Sequence, residues 1–338
     1  MAMTIYDISK KAGVSIATVS RVLNDSENVR PSTRKKVMDV IDKYDYTPNA
    51  FARGMGLHSL KTIGILCADS SDLFLAKAVY FLEQELQANG YESLLCCTGY
   101  NLDIKKNYLN LILSKKVDSI ILVGSHFIGS NEDENQYIKD VSTQVPIMLL
   151  NASFDYPNVY STLCDDYGTM FEATAEMIQA GITDILYLYD SKSYSGLKKL
   201  HGFCDAMKEY NIPGFEKLIH FYDGNIEHLN EVADFVARIA TKGTSFHGIM
   251  TSDDSLAIGS IKYAQKKGIR IPKELSVMGY NNSMLTNCCT PELTSVDNRL
   301  ETLTHQLVQT LLGVLAGEEM PKKSIFSGKI IKRGTTLF

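Results

Sequence analysis

Apolar residues change their spacing abruptly along this chain. Over residues 4–24 they recur at helical intervals, with Ile5, Ile8 and Ala12 on one face and, beyond Gly13, Val19, Val22 and Leu23 on another. That pattern predicts two short helices joined by a tight turn. Thr4 can cap the first, with Asp7 near its positive end; Gly13 permits the positive φ the turn needs, and Ser15 caps the second. Pro31 suits the first position of a third helix, whose buried stripe is expected from Val37, Val40, Ile41 and Tyr44. Tyr46-Thr47-Pro48 breaks it. The run 49–55, with Asn49 as cap, has length for a further turn or two, but Gly54 weakens it by roughly 1 kcal/mol relative to Ala. A helix so short orders only against a partner.

From residue 61 the texture becomes one of continuous apolar runs alternating with apolar-striped helices. Strands are expected over 62–67, 91–96, 119–123 and 147–150, with helices over 74–89 and 104–114. The pattern then restarts: helix 168–179, strand 185–188, helix 198–210, apolar run 218–222, helix 226–240, strand 248–250, helix 255–267 and strand 275–279. Two successive units of this kind imply mostly parallel sheets covered by helices on both faces. Ligands of such sheets bind beyond the carboxyl ends of the strands. A tandem pair therefore places a site in the cleft between the two.

Composition narrows the picture. An apolar fraction of 45% with 22% charged residues belongs to a globular protein with a sizeable core. No apolar run reaches the length of a membrane span, and the N-terminus has no basic-then-apolar signal, so a cytoplasmic location is expected. The net charge of −5 argues against nucleic acid until it is divided. Residues 1–60 hold nine Lys/Arg against six Asp/Glu, or +3, and the remainder 25 against 33, or −8. A basic head on an acidic body is the asymmetry expected when only the head meets phosphates. Seven cysteines show no C-x-x-C spacing and several sit in apolar runs, which favours buried reduced thiols over zinc or disulfides. Seven histidines show no H-x-x-x-H spacing. No metal or cofactor is expected.

The second helix carries the candidate chemistry of the head. Its outer side presents Ile16, Ala17, Thr18, Ser20 and Arg21. Small side chains, hydroxyls and one arginine make a poor core but a good surface for a DNA major groove. A solvated helical hairpin would show the same polarity, so two helices alone do not decide.

The order of the parts does. The motifs Tyr6-Asp7-Ile8 with Ala12-Gly13-Val14-Ser15, Thr18-Val19-Ser20-Arg21-Val22-Leu23-Asn24, Tyr46-Thr47-Pro48-Asn49 with Ala52-Arg53, and Val277-Met278-Gly279-Tyr280 resemble those of the LacI/GalR (lactose and galactose repressor) family over essentially the whole chain. The resemblance implies a small all-α helix-turn-helix head on a two-lobed α/β body of the periplasmic-binding-protein type I, with parallel sheets. It implies a head over 1–46, a hinge helix and linker over 47–60, a first effector-binding lobe over 61–161 plus 290–319, and a second over 162–289 plus 320–338. On the same footing, Ile16, Ala17 and Arg21 read bases, and Tyr6, Ser15, Thr18, Ser20 and Asn24 hold phosphates. Asn49, Ala52, Arg53 and Met55 belong to a hinge helix that wedges the minor groove, Met55 standing where relatives commonly carry leucine. In the cleft, Ser71, Asp72, Phe74, Ser125 and Asn151 fall to the first lobe, and Lys199, Tyr222, Asp253 and Asn281 to the second. Lys199, ahead of Gly202-Phe203, replaces a usual arginine and Asn281 a usual aspartate; Tyr222 is the nearest aromatic to a displaced position near Gly224.

The expected partners are a palindromic double-stranded operator, a small-molecule effector of carbohydrate type, and a second copy of the chain, with no membrane. The expected function is a ligand-controlled transcriptional repressor. An enzyme or a plain small-molecule-binding protein on similar lobes is the alternative. Against an enzyme, the chain lacks G-x-x-x-x-G-K-[ST], and no G-x-G-x-x-G follows the first strand. The adjacent pair Asp165-Asp166 points apart on an extended chain.

Overall fold

The computed structural model describes residues 3–23, 26, 28–46, 59–241 and 243–337. At the N-terminus, helices α1 (Ile5–Ala12), α2 (Ile16–Leu23) and α3 (Pro31–Lys43) enclose a small core of Ile8, Ala12, Val19, Val22, Val37, Ile41 and Tyr46. Local signals set their limits. The Thr4 side chain and the Asp7 carboxylate cap each other's backbone in a capping box, and Gly13 closes α1 at φ 65°. Thr18 N–H donates to Ser15 Oγ at 3.2 Å, so Ser15 caps α2. One expected core residue is misplaced. Tyr44 is 39% exposed and lies under the Lys11 ammonium, while Tyr46 is buried instead. The cause is Asp45, at φ 47°, which turns the chain back so that Tyr46 N–H donates to the Ile41 carbonyl.

The body holds two six-stranded sheets among the described residues. The first combines β1 (Thr62–Cys67), β2 (Glu92–Cys97), β3 (Ser119–Val123), β4 (Ile147–Leu150), β5 (Val159–Cys164) and β11 (Lys323–Phe326), in the order β11-β5-β4-β3-β1-β2 and parallel throughout. The second combines β6 (Ile185–Tyr189), β7 (Ile219–Phe221), β8 (Gly248–Thr251), β9 (Ser276–Tyr280), β10 (Thr294–Asp297) and β12 (Lys329–Ile331), in the order β12-β10-β9-β8-β6-β7. Only the β10–β12 pair in it is antiparallel.

Each sheet is covered on both faces. Helices Leu73–Ala88 and Leu300–Leu315 pack on one side of the first sheet. Helices Leu102–Ser114 and Glu132–Ser142 pack on the other. The last of these lies outside the expected set: its first turn is Glu132, Asp133, Glu134, and only Tyr137, Ile138 and Val141 give it an apolar side. On the second sheet, helices Asp166–Gln179 and Tyr194–Glu209 share one face, and Leu229–Thr241 with Asp254–Lys267 the other. Gly202 lets the first two of these helices touch, since a Cβ there would stand 2.3 Å from the Tyr167 carbonyl oxygen.

Sheet membership corrects the lobe limits. The expected boundary after 161 falls inside β5, which belongs wholly to the first sheet. Residues 294–297, expected in the first lobe, form β10 of the second sheet. Residues 323–326, expected in the second, form β11 of the first. The chain thus crosses between β5 and helix Asp166–Gln179, between β10 and helix Leu300–Leu315, and between β11 and β12. All three crossings lie further along the chain than expected.

Candidate DNA-reading head and interlobe cleft

On α2, Ile16 is 39% exposed and Ala17 and Arg21 are also exposed, on the side turned away from the head's core. Ser20 and Thr18 are half-buried, Ser15 is exposed, and Tyr6 on α1 is 67% exposed. The Ser15 and Thr18 hydroxyls lie 2.9 Å apart, so their first role is to hold the start of α2. Lys10, Lys11, Lys35 and Lys36 are exposed on the same small domain. The surface therefore combines apolar contact, an arginine fork and fixed positive charge, the set that base edges and phosphates require. Asn24, Asn49, Ala52, Arg53 and Met55 lie outside the described residues.

The cleft is built from the first polar residues beyond the sheet strands. Ser125 follows β3, Asn151 β4, Asp190 β6, Ser252 and Asp253 β8, and Asn281 β9. Together with the loop 69–74 they line two adjoining interlobe spaces, a small one of about 90 Å³ that holds Ser125 and Asn151 and a larger one of about 1020 Å³ towards Tyr100 and Phe221. Ser125 Oγ and Ser193 Oγ, one from each lobe, are 2.8 Å apart and form a direct latch across it. Asp72 caps helix Leu73–Ala88 by accepting from Leu75 N–H at 2.8 Å. Phe74 is half-buried at the wall and Ser71 is exposed at the rim. Asn151, held at φ 62°, is 8% exposed, and among the described residues its Oδ1 has no hydrogen-bond partner. A buried amide oxygen left unpaired costs about 1–3 kcal/mol, so it is a standing demand for a donor.

The floor on the second lobe is a polar network. Asp253 Oδ1 accepts from Ser255 N–H at 2.7 Å, and its Oδ2 accepts from Asn281 Nδ2 at 2.8 Å. Asn281 Oδ1 in turn accepts from Asn298 Nδ2 at 3.0 Å. Burial, reinforced by Asp254 and Asp190, pushes the Asp253 carboxyl up to about 7. Burial also pushes Asp254 up to about 6, against hydrogen bonds from Ser295 Oγ and Ser283 N–H. Asp72 is raised for the same first reason. Carboxyls this close are reluctant to ionise together.

Two expected contacts stand differently from their assigned roles. Lys199 is 7% exposed; its Nζ donates to the Ser252 carbonyl at 3.0 Å and lies 3.9 Å from the centre of the Tyr280 ring. Asp166 accepts there from Ser195 Oγ at 2.5 Å and from Tyr280 O–H at 2.6 Å. Lys199 thus serves the lobe's interior and only borders the inner end of the cleft. Tyr222 edges the cleft but is 4% exposed, its ring packed on Phe235 in the core. Besides Phe74, the aromatic surface that faces the cleft comes from Tyr100 and Phe221, 54% and 37% exposed. Asp190, His126, Tyr100 and Phe221 escaped the sequence reading. The strand-end rule that found Ser125 and Asn151 reaches Asp190 equally. His126 follows Ser125 directly, and burial beside Lys105 holds its pKa down, so it is neutral.

Asp165 and Asp166 do point apart: Asp165 caps Gly168 N–H at 3.0 Å while Asp166 is buried.

Residues 4–49 match bacterial regulatory proteins of the lacI family, and residues 174–336 match a periplasmic binding protein-like domain. An HTH-type transcriptional regulator of Lachnoclostridium phytofermentans is 49% identical over 99% of this chain and 100% of its own. Catabolite control protein A of Priestia megaterium is 32% identical over 88% of this chain and 87% of its own. Among solved structures, the lac repressor dimer bound to operator and an anti-inducer superposes with a TM-score of 0.88 at 21% identity, covering 100% of both chains. At that identity the likeness is one of fold. With its helix-turn-helix head and its cleft between two parallel-sheet lobes, the chain belongs to the lacI family of DNA-binding transcriptional regulators.

Proposed function

We propose that this regulator is a repressor that binds a palindromic operator as a homodimer and is controlled by a carbohydrate-type effector in the interlobe cleft. The observation that carries the effector reading is Asn151 Oδ1, buried and unpartnered at the cleft wall, with Ser125, Asp190, Asp253 and Asn281 around the same space. A polyhydroxylated ligand supplies the donors this set lacks, and Tyr100 and Phe221 offer faces to a sugar ring. Around the larger space Asp69, Glu134, Asp190, Asp223 and Glu227 outnumber Lys192, so an uncharged sugar is favoured over a phosphorylated one. Arg21, Ile16 and Ala17 read bases, and Tyr6, Ser15, Thr18 and Ser20 meet phosphates. Asn24 joins them, and Asn49, Ala52, Arg53 and Met55 form the minor-groove hinge. Ser71, Asp72 and Phe74 complete the effector site. No catalytic role is proposed for any residue.

Control follows from differential affinity: an effector that binds one lobe angle better than another shifts the population toward it, and the heads follow. A thermal-shift screen of neutral mono- and disaccharides, amino sugars and sugar phosphates, paired with operator-binding titrations, tests the reading. Neutral sugars should raise the melting temperature and change DNA affinity. Stabilisation by phosphorylated sugars alone would overturn the neutral-sugar assignment, and no response to any of them would remove the carbohydrate reading.

A further inference from the structure

Strands β1 and β2 both end in cysteine, and the parallel register sets Cys67 opposite Cys97. Their Sγ atoms lie 3.7 Å apart. Adjacent strands run about 4.8 Å apart, within the Cα span that a disulfide bridges. Partners in parallel register also leave the same face of the sheet, so neither side chain has to cross the backbone. The two thiols differ in access. Cys67 is fully buried in the core of the first lobe, whereas Cys97 is exposed. Cys96, between them in reach, leaves the opposite face and packs in the other core layer.

We infer that Cys67 and Cys97 form a reversible oxidation site that closes to an intramolecular disulfide when the protein meets a peroxide. Cys97 is the thiol that reacts with the oxidant. Its thiolate attacks one oxygen of hydrogen peroxide, the O–O bond breaks, and Cys97 becomes a sulfenic acid while hydroxide leaves and takes up the thiol's proton as water. The Cys67 sulfur, 3.7 Å away, then attacks the Cys97 sulfur. The S–O bond breaks, the S–S bond forms, and the Cys67 proton leaves with the hydroxyl as a second water. One peroxide is reduced to two waters, and two thiols are oxidised to one disulfide. Burial beside Cys97 pushes the Cys67 thiol up to about 12, which keeps it protonated and inert until a sulfenic acid stands next to it. A low-molecular-weight thiol reverses the change by exchange.

The site sits directly beneath the cleft. Thr98 N–H donates to the Cys67 carbonyl at 2.9 Å, and Gly99 N–H to the Ala68 carbonyl at 2.8 Å. The segments that leave these bonds carry Asp72 on one side and Tyr100 on the other, both in the cleft wall. The disulfide thus lies at the roots of both segments of the cleft wall.

The test treats the full-length chain with hydrogen peroxide, blocks remaining thiols, and maps peptides without reduction. The expected result is a Cys67–Cys97 cross-link within one subunit, a loss of two from the seven titratable thiols, and their return with dithiothreitol. C97S should abolish the cross-link and C96S should leave it intact. C67A should leave a Cys97 sulfenic acid that dimedone traps. Because Cys97 is exposed, C97S carries the test even if C67A fails to fold. Seven thiols surviving peroxide, a bond joining two subunits through Cys97, or the same cross-link count in C97S would each overturn the assignment.

Discussion

The head and the cleft solve opposite problems. On the head, the proposed chemistry is on the outside: Ile16, Ala17 and Arg21 are exposed on one helix, and a few internal hydrogen bonds hold that helix in place. In the cleft most polar groups are half-buried or buried, and many of them already serve the protein, as helix caps at Asp72 and Asp253 or as a core cation at Lys199. A DNA-reading surface must meet a large, rigid partner without rearranging. A cleft must stay intact when empty and still leave a few groups for a ligand. On the proposed reading, exposure marks function on the head, whereas in the cleft the mark is an unsatisfied group among satisfied ones, here Asn151.

The largest test of this division removes residues 1–58. Specific operator binding, which stands roughly 10³-fold or more above background in such proteins, should vanish in a gel-shift titration, while sugar-dependent stabilisation of the remainder survives. Loss of both would mean that the two regions are not separable. The next effect belongs to Lys199→Met. Burial raises the Asp166 carboxyl's pKa and the Lys199 charge opposes that rise; the substitution strips the charge and leaves a buried acid whose cation is gone. A loss of about 3 kcal/mol in urea unfolding is expected; a wild-type midpoint would show that Lys199 is not part of the lobe's frame. Arg21→Ala should cost about 1–3 kcal/mol of preference between operator and mismatched palindromes, with effector response unchanged. Unaltered discrimination would take Arg21 out of the reading surface.

The head was legible because its signals are local. The Thr4–Asp7 capping box, Gly13 at the turn and Pro31 at the start of α3 all act within a few residues of themselves. The one error, Tyr44 for Tyr46, arose where a positive φ at Asp45 broke the periodicity that had been extrapolated through it. In the body, long apolar runs gave the central strands, but the crossings were set by short edge strands. β10, β11 and β12 span three or four residues each and take their identity from partners far away in sequence, as Ser324 does from Thr162. Cleft residues suffered in the same way. Lys199 occupies the expected position, but whether its ammonium faces ligand or core depends on Tyr280 and Ser252, which no local pattern connects to it.

Acidity offers a gentler way to separate caps from contacts. A carboxyl whose folded pKa lies above its unfolded value keeps its proton in the folded chain while the unfolded chain has released it. Stability contributed this way therefore falls as pH rises from about 4 towards the folded value. For Asp253, raised from 3.8 to about 7, the fall should run through that window. Asp253→Asn should flatten it, by an amount on the order of 1 kcal/mol between pH 5 and pH 7 in the melting curves. An unchanged slope would assign the effect to Asp254 instead.

The smallest effect bears most directly on how the two lobes communicate. The Ser125–Ser193 hydrogen bond joins residues of opposite lobes, and neither hydroxyl is charged. Such a bond contributes about 1 kcal/mol. If it favours the closed cleft, Ser125→Ala shifts the lobe equilibrium by roughly that amount, or about five-fold, without touching the head. Ser193 is the poorer choice, because its Oγ also accepts from Gly196 N–H at the start of helix Tyr194–Glu209. Effector affinity in Ser125→Ala should then move by less than ten-fold, and operator affinity in the absence of effector should move with it. A change in effector affinity alone would reduce Ser125 to a ligand contact. A change in both makes the latch part of the coupling between cleft and head.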